Sequence, residues 1–143
     1  MPQSGISVGS DARFDILMPT GLLSLPTLLS FDAKKITHKV KIKPISGLPI
    51  NLQFPDGWEG GFDVARADST LDDYFAAVEA AQYAGANLAS GTIHQTITEV
   101  DGTTSQYMFT GVQLYLEDAG NWKALSDVMQ KVSFLAQTRI KVV

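Results

Sequence analysis

The stretch TIHQTITEVDGTTSQYMFTGVQLYLE, residues 92 to 117, predicts two antiparallel strands joined by a tight turn. Asp101-Gly102 between alternating arms is the strongest short-range signal for a β-hairpin, usually with a type I′ turn. The second arm has one apolar face, but the first is polar on both faces, with Gln95 and Glu99 on one side and threonines on the other. A strand packed on a core should show one plainly apolar face. Taken alone, the first arm therefore predicts an exposed sheet edge.

Alternating patterns predict further strands around this hairpin. β-branched residues alternate with lysines over residues 34 to 43 and predict a strand that Pro44 ends. Residues 44 to 59 contain three prolines and two glycines and predict a long loop. Further strands are predicted at residues 14 to 17, 60 to 67 and 128 to 142.

One convincing helix follows the strand at residues 60 to 67. Ser69 is the expected N-cap, and Gly85 is a natural C-terminal cap. Leu71, Phe75 and Val78 are spaced to form one buried stripe. These elements predict a single mainly β domain over residues 1 to 143 with one α-helix, an antiparallel β-barrel or sandwich. Within it, residues 1 to 33 form a less regular N-terminal segment.

Composition excludes several classes of protein. The chain has 143 residues and no cysteine, so disulfide frameworks and thiolate zinc sites are excluded. The N-terminus has neither a basic start nor an apolar core, so no secretory signal is expected. The most apolar run, residues 16 to 31, is interrupted by proline and glycine and is shorter than the ~20 residues of a membrane span. We expect a soluble protein without a membrane anchor, made and kept inside a cell.

Charge is segregated along the chain. Residues 34 to 43 carry +5, residues 44 to 127 carry −10, the last sixteen carry +3 and the first 33 carry −2. This pattern indicates surfaces of opposite sign that could meet between copies. The predicted inter-subunit basic ridge consists of Lys35, Lys39, Lys41 and Lys43. A solvated face or a lysine-protected edge strand explains the same residues, whereas nucleic-acid binding lacks the interleaved aromatic residues that stack on bases.

No catalytic motif is present. His38 and His94 fall on different predicted strands, without the close spacing of metal ligands. A G-x-S-x-G elbow and a P-loop are both absent, and the acidic pair Asp72-Asp73 is explained by the helix start. We expect no enzyme activity, no catalytic residue, no metal and no cofactor.

The order of these elements resembles the tail tube proteins of contractile-tailed bacteriophages. The matching features are SFDAKKITHKVKIKP, a long loop, GWEGGFDVARADSTLDDYFAAVEAAQYAG, the polar hairpin with its D-G turn, and a last strand ending in basic residues. The resemblance covers residues 31 to 143 and rests on pattern and element order.

The resemblance implies a structural virion protein. Tail tube subunits form hexameric rings that stack into a hollow tube inside a sheath, and phage DNA passes through the bore. The implied partners are further copies of the chain, the tail sheath protein, baseplate or tube-initiator proteins, and transiently DNA. The implied location is the virion tail, assembled in the host bacterial cytoplasm. A strand that is polar on both faces then suits a channel wall, with Gln95 and Glu99 as candidate lumen-lining residues.

The apolar side chains of the predicted loop suggest ring stacking. This candidate ring-stacking loop carries Leu48, Ile50, Leu52, Phe54 and Trp58, and its alternative is a loop folded onto its own barrel. Two further functions stay open within the structural class: a type VI secretion tube and a baseplate tube-initiator protein. A monomeric β-barrel ligand-binding module is the alternative from another class, and it predicts a concave apolar pocket.

Overall fold

A computed structural model describes residues 5 to 142 except 24, 26 and 88. The remaining positions, including residues 1 to 4 of the predicted N-terminal segment and residue 143, lie outside the described residues. The described part contains eight strands and one α-helix, preceded by a 3-10 turn at Gly9–Asp11. The elements are β1 Ala12–Met18, β2 Gly21–Leu23, β3 Leu28–Ile42, β4 Ile50–Ala65, α1 Thr70–Tyr83, β5 Gly91–Thr98, β6 Thr104–Asp118, β7 Met129–Ala136 and β8 Thr138–Lys141.

All strand pairs are antiparallel and belong to one sheet. Its order is β2-β1-β5-β6-β7-β4-β3, and β8 pairs with β6. The prediction of a mainly β fold with one helix is confirmed. The sheet is open and is not a closed barrel, since β3 ends it on one side and β1 with β2 on the other.

The sheet turns a corner at Gly111 and Gln137. Gly111 has a φ of 63° and lies in a bulge of β6, where the pairing with β5 shifts register. Gln137 separates β7 from β8, so the predicted single strand at residues 128 to 142 is two strands. Its backbone N–H donates to the carbonyl of Thr110 at 2.8 Å. The break inverts the alternation: Val132, Phe134 and Ala136 are buried in β7, but in β8 Arg139 is half-buried and Ile140 is exposed.

The core is built around phenylalanine rings. Phe62, Phe109 and Phe134 are at most 2% exposed. Phe31 of β3 stacks on Phe134 at 5.3 Å and on Phe14 of β1 at 4.1 Å between ring centroids. The two open ends of the sheet therefore meet through aromatic side chains, which makes the body a sandwich.

Helix α1 is held mainly by its first turn. Leu71 is its buried residue, and Asp72 accepts hydrogen bonds from Arg66 at 3.0 Å and from Gln130 at 2.8 Å. The predicted cap is corrected in one detail. Ser69 occupies the N-cap position without a side-chain cap hydrogen bond, and the neighbouring Asp68 accepts the N–H of Thr70 at 3.0 Å.

Gly85 ends the helix as predicted. Its φ is 81° and its N–H donates to the carbonyl of Gln82, while Ala86 donates to Ala81, the pairing of a Schellman motif.

The hairpin between β5 and β6 has a three-residue loop, so the predicted type I′ turn is wrong. Glu99 donates its N–H to Thr103 at 2.8 Å, Gly102 donates to Glu99 at 3.1 Å, and Gly102 has a φ of 87°. This is the turn-plus-bulge form of hairpin. Asp101 accepts both the N–H and the hydroxyl of Thr103, and these hydrogen bonds lower the pKa of the Asp101 carboxyl.

The predicted long loop at residues 44 to 59 is also wrong. β4 begins at Ile50, and the connection after β3 covers only residues 43 to 49. β7 pairs with β4 only from Trp58 onward, so the preceding part of β4 has β3 as its partner. Pro55 lies in this part of β4, next to the register shift between Lys35 and Thr37, and prolines in sheets are found at strands with one free side and at bulges.

Candidate assembly surfaces

The ends of β3 and β4 form a two-stranded arm that leaves the body. We define the arm as residues 35 to 55, and none of its residues is buried. The paired part of β3 from Lys35 to Ile42 alone spans roughly 24 Å at about 3.4 Å per residue. An isolated two-stranded ribbon is marginally stable in water, so the arm has the properties of a segment that needs a partner surface.

One face of the arm is apolar, and we call it the apolar arm face. The register places three cross-strand pairs on it: His38 with Phe54, Val40 with Leu52, and Ile42 with Ile50. The rings of His38 and Phe54 lie 6.3 Å apart. Ile42, Ile50 and Phe54 remain 46%, 50% and 50% exposed.

The opposite face, the lysine arm face, is polar. Lys39 pairs with Gln53 and Lys41 with Asn51, and both lysines are exposed. Lys35 at the base and Lys43 beyond the strand are also exposed. Three lysines of the predicted ridge therefore lie along β3, and Lys43 directly follows its end. Among the described residues, the ion pairs are Arg13–Asp15 and Arg66–Asp72, and neither involves the ridge.

The structure separates the residues of the predicted ring-stacking loop. Ile50, Leu52 and Phe54 lie on the apolar arm face, and Leu48 lies at the tip with 77% exposure. Trp58 instead packs against the core at the base of the arm. The Arg139 guanidinium lies 5.1 Å from the centre of the Trp58 ring and 3.8 Å from that of Tyr107.

The outer face of β3, β4, β7 and β6 contains an acidic hollow of about 430 Å³. Its rim carries Asp32, Glu59 and Glu117, with Lys34 as the opposing charge. Its exposed apolar residues are Tyr115 and Leu135, which are 46% and 44% exposed.

Gly61 lies between two residues that line the acidic hollow. It pairs with Asp32 on one side and Ser133 on the other, and it places no side chain between them. A Cβ at Gly61 would meet the carbonyl oxygen of Val132 at 2.8 Å. In the sequence, the signal for this site is the Gly60-Gly61 pair at the start of the strand predicted at residues 60 to 67.

The two predicted lumen residues lie in different surroundings. Gln95 shares its strand face with the buried Ile93 and is paired with Phe14 and Tyr107. Glu99 lies in the hairpin turn. Their place in a lumen stays a prediction. The opposite face of the same half-sheet is rich in hydroxyl groups: Thr92, Thr96, Thr98, Thr104, Thr110 and Thr138. We call it the threonine face.

A cleft of about 730 Å³ follows the seam between β1 and β3. Phe14, Leu28 and Phe31 are among its apolar lining residues, and Gln95 and Arg13 are polar. The cleft lies where the sheet is open, and the outer edges of β1 from Ala12 to Asp15 and of β3 have no strand partner among the described residues. Unpaired edges of this kind are templates for pairing with another chain.

Across residues 5 to 142, apart from the three undescribed positions, no cluster of three or more His, Asp or Glu side chains could hold a metal ion. No helix in that part is both long and apolar enough to cross a membrane.

Comparison with known proteins gives matches in structure only. No family model and no curated protein matches the sequence. The fold is similar to the sheath/tube terminator of the PVC extracellular contractile injection system in its extended state, at a TM-score of 0.63 and 10% identity, covering 100% of both chains. It is also similar to a chain of the PVC sheath-tube complex, at a TM-score of 0.64 and 12% identity, covering 97% of this chain and 92% of that one.

A third similar structure is the tube-terminating cap of the anti-feeding prophage. Its TM-score is 0.59 at 8% identity, with 99% of this chain and 98% of that chain covered. At such identities the likeness concerns the fold. The chain therefore has a fold found in components of contractile injection systems.

Proposed function

We propose that the chain is a structural subunit of the tube of a contractile injection particle, in which rings of six copies stack into a hollow tube. The observation that carries the proposal is the arm, an amphipathic ribbon without a buried residue beside two unpaired sheet edges. In a monomer the apolar arm face and the unpaired edges stay exposed to water, whereas in a polymer each of them can contact a neighbouring copy. The fold shared with a sheath/tube terminator and with a chain of a sheath-tube complex supports the same conclusion.

The threonine face is the best candidate for a channel wall. Its hydroxyl groups carry no net charge and can remain hydrated, so they would not retain a polyanion. Phage DNA is the cargo that we propose. Of the two predicted lumen residues, Glu99 in the hairpin turn would contribute at the rim of this wall, whereas Gln95 lies on the opposite face with the buried Ile93.

The proposed partners are those of an inner tube: further copies of the chain, a surrounding sheath protein, and baseplate or initiator proteins at the end of the tube. The proposed location is the tail of a virion or a related particle, with assembly in the bacterial cytoplasm. The role is structural and requires no catalytic residue.

A tube-end protein is the second candidate. The terminator and the cap each match this chain over almost their full lengths. An end protein would bind a preformed ring on one side and would not polymerise further. The type VI tube component differs from the first proposal in the particle that it serves, and the baseplate initiator differs in its place at the end of the tube.

Sedimentation velocity over a wide range of concentration separates these functions. A tube subunit gives concentration-dependent species at and beyond a hexamer, and an end protein stops at one ring. A chain that remains a monomer throughout contradicts both proposals and favours the ligand-binding module.

A further inference from the structure

We propose that the lysine arm face of one copy docks in the acidic hollow of a second copy, an inference that rests on the proposed function. The arm carries four lysines and no acidic residue, hence +4, while the whole chain carries −4. The rest of the chain therefore carries −8. A second copy is thus a partner of complementary charge for the arm.

The acidic hollow matches the arm in chemistry. Asp32, Glu59 and Glu117 provide three carboxylates against one lysine, and all three are exposed. The hydroxyl of Ser133 donates a hydrogen bond to the Glu117 carboxylate at 2.6 Å, which holds the carboxylate at the rim. Lysine ammonium groups of the arm can reach such carboxylates while their stems lie along apolar surface.

The tip of the arm supplies the apolar part of the contact. Ile45 is fully exposed, at 107%, and Leu48 is 77% exposed. Tyr115 and Leu135 in the acidic hollow are about half exposed and lie between the carboxylates. The docked arm places an apolar tip on this apolar centre, surrounded by charge pairs, the arrangement usual for protein interfaces.

The docking contact is heterologous, because the arm and the acidic hollow are different surfaces of the same chain. The hollow lies at the base of the arm, where Lys34 pairs with Glu59. The arm therefore projects away from its own hollow towards that of another copy. Repetition of such a contact gives a closed ring or an open stack and not an isolated dimer.

Complementary charge reversals test this docking in the full-length protein. The arm variant carries Lys39→Glu with Lys41→Glu, and the hollow variant carries Glu59→Lys with Glu117→Lys. Each variant alone should raise the concentration needed for assembly roughly tenfold or more at about 50 mM NaCl, because like charges then face each other. An equimolar mixture should assemble, since each arm then meets a hollow of opposite charge in the other variant.

Lys123→Glu and Glu79→Lys serve as controls, since both residues are exposed and lie outside the arm and the acidic hollow. They should assemble like the wild type. Circular dichroism establishes that every variant is folded.

A mixture that fails to assemble while the wild type does overturns the docking and leaves the tube proposal intact. Variants that each assemble normally also overturn it. A wild-type chain that stays monomeric contradicts the tube proposal as well, and binding of that monomer to anionic vesicles through Lys39 and Lys41 would assign the arm to a membrane surface instead.

Discussion

Replacement of one cross-strand pair on the apolar arm face separates assembly from folding. The change is Ile42→Thr with Ile50→Thr, at residues that face each other in the register of β3 and β4. Threonine keeps the β-branched shape that favours strands. The variant therefore reduces the apolar surface of the arm and preserves its backbone preference.

The expected magnitude follows from the exposure of the two side chains. Ile42 and Ile50 are 46% and 50% exposed, so about half of each remains to be buried by a neighbouring copy. Complete burial of an isoleucine contributes about 1.5–3 kcal/mol, so the two halves contribute about 1.5–3 kcal/mol per contact. That is roughly a 10- to 150-fold weaker association at each contact. The monomer should lose less than about 1 kcal/mol, as is usual for exposed cross-strand pairs.

Light scattering against protein concentration measures the association, and urea unfolding measures the stability of the monomer. Ile140→Thr is the matched control, because Ile140 is 47% exposed in β8, outside the arm. Equal assembly of the double variant and the wild type would refute the assignment of the apolar arm face to an interface. An equal loss of assembly in the Ile140→Thr variant would show that the effect is not specific to the arm.

Three further predictions concern the monomer. Gly57→Ala should destabilise the monomer by about 1–3 kcal/mol. The φ of Gly57 is 100°, and the new Cβ would lie 2.8 Å from the carbonyl oxygen of Ala136 in the neighbouring strand β7. Gly47→Ala, with a φ of 94° but open space, should cost less, and thermal unfolding compares the two. Gln130→Leu should cost about 1–3 kcal/mol in urea unfolding, since Gln130 is 2% exposed and donates two hydrogen bonds. The pKa of Asp101 is lowered below 3.8 by Thr103, so its stabilisation is present above pH 3.8 and is lost as the pH falls through the folded-state value. Asp101→Ala should therefore flatten the acid side of the stability curve, and an unchanged acid limb would contradict this assignment.

Local patterns identified most of the elements because each carries its own signal. The alternation at residues 34 to 43, the Asp101-Gly102 turn and the stripe beginning at Leu71 each correspond to a described strand, hairpin or helix. The arm was missed because prolines and glycines usually end strands. Pro55 lies in a part of β4 that pairs only with β3. Which part of β4 lacks a second partner depends on tertiary pairing and cannot be read from the local sequence.

Tertiary pairing also determines which surface features could be predicted from the sequence. Three of the four ridge lysines share one side of β3 and Lys43 follows its end, and the sequence pattern placed all four together. The acidic hollow joins β3, β4, β6 and β7, so no single stretch of sequence contains it. The inverted faces of Arg139 and Ile140 depend on the break at Gln137, which has no signal in a continuous alternating pattern.

Negative-stain electron microscopy of the purified, untagged protein over a range of concentrations tests the central claim most directly. The account predicts hollow rings with six-fold end views, which lengthen into tubes as the concentration rises. Small monodisperse particles at every concentration, with no ring in any view, would contradict it.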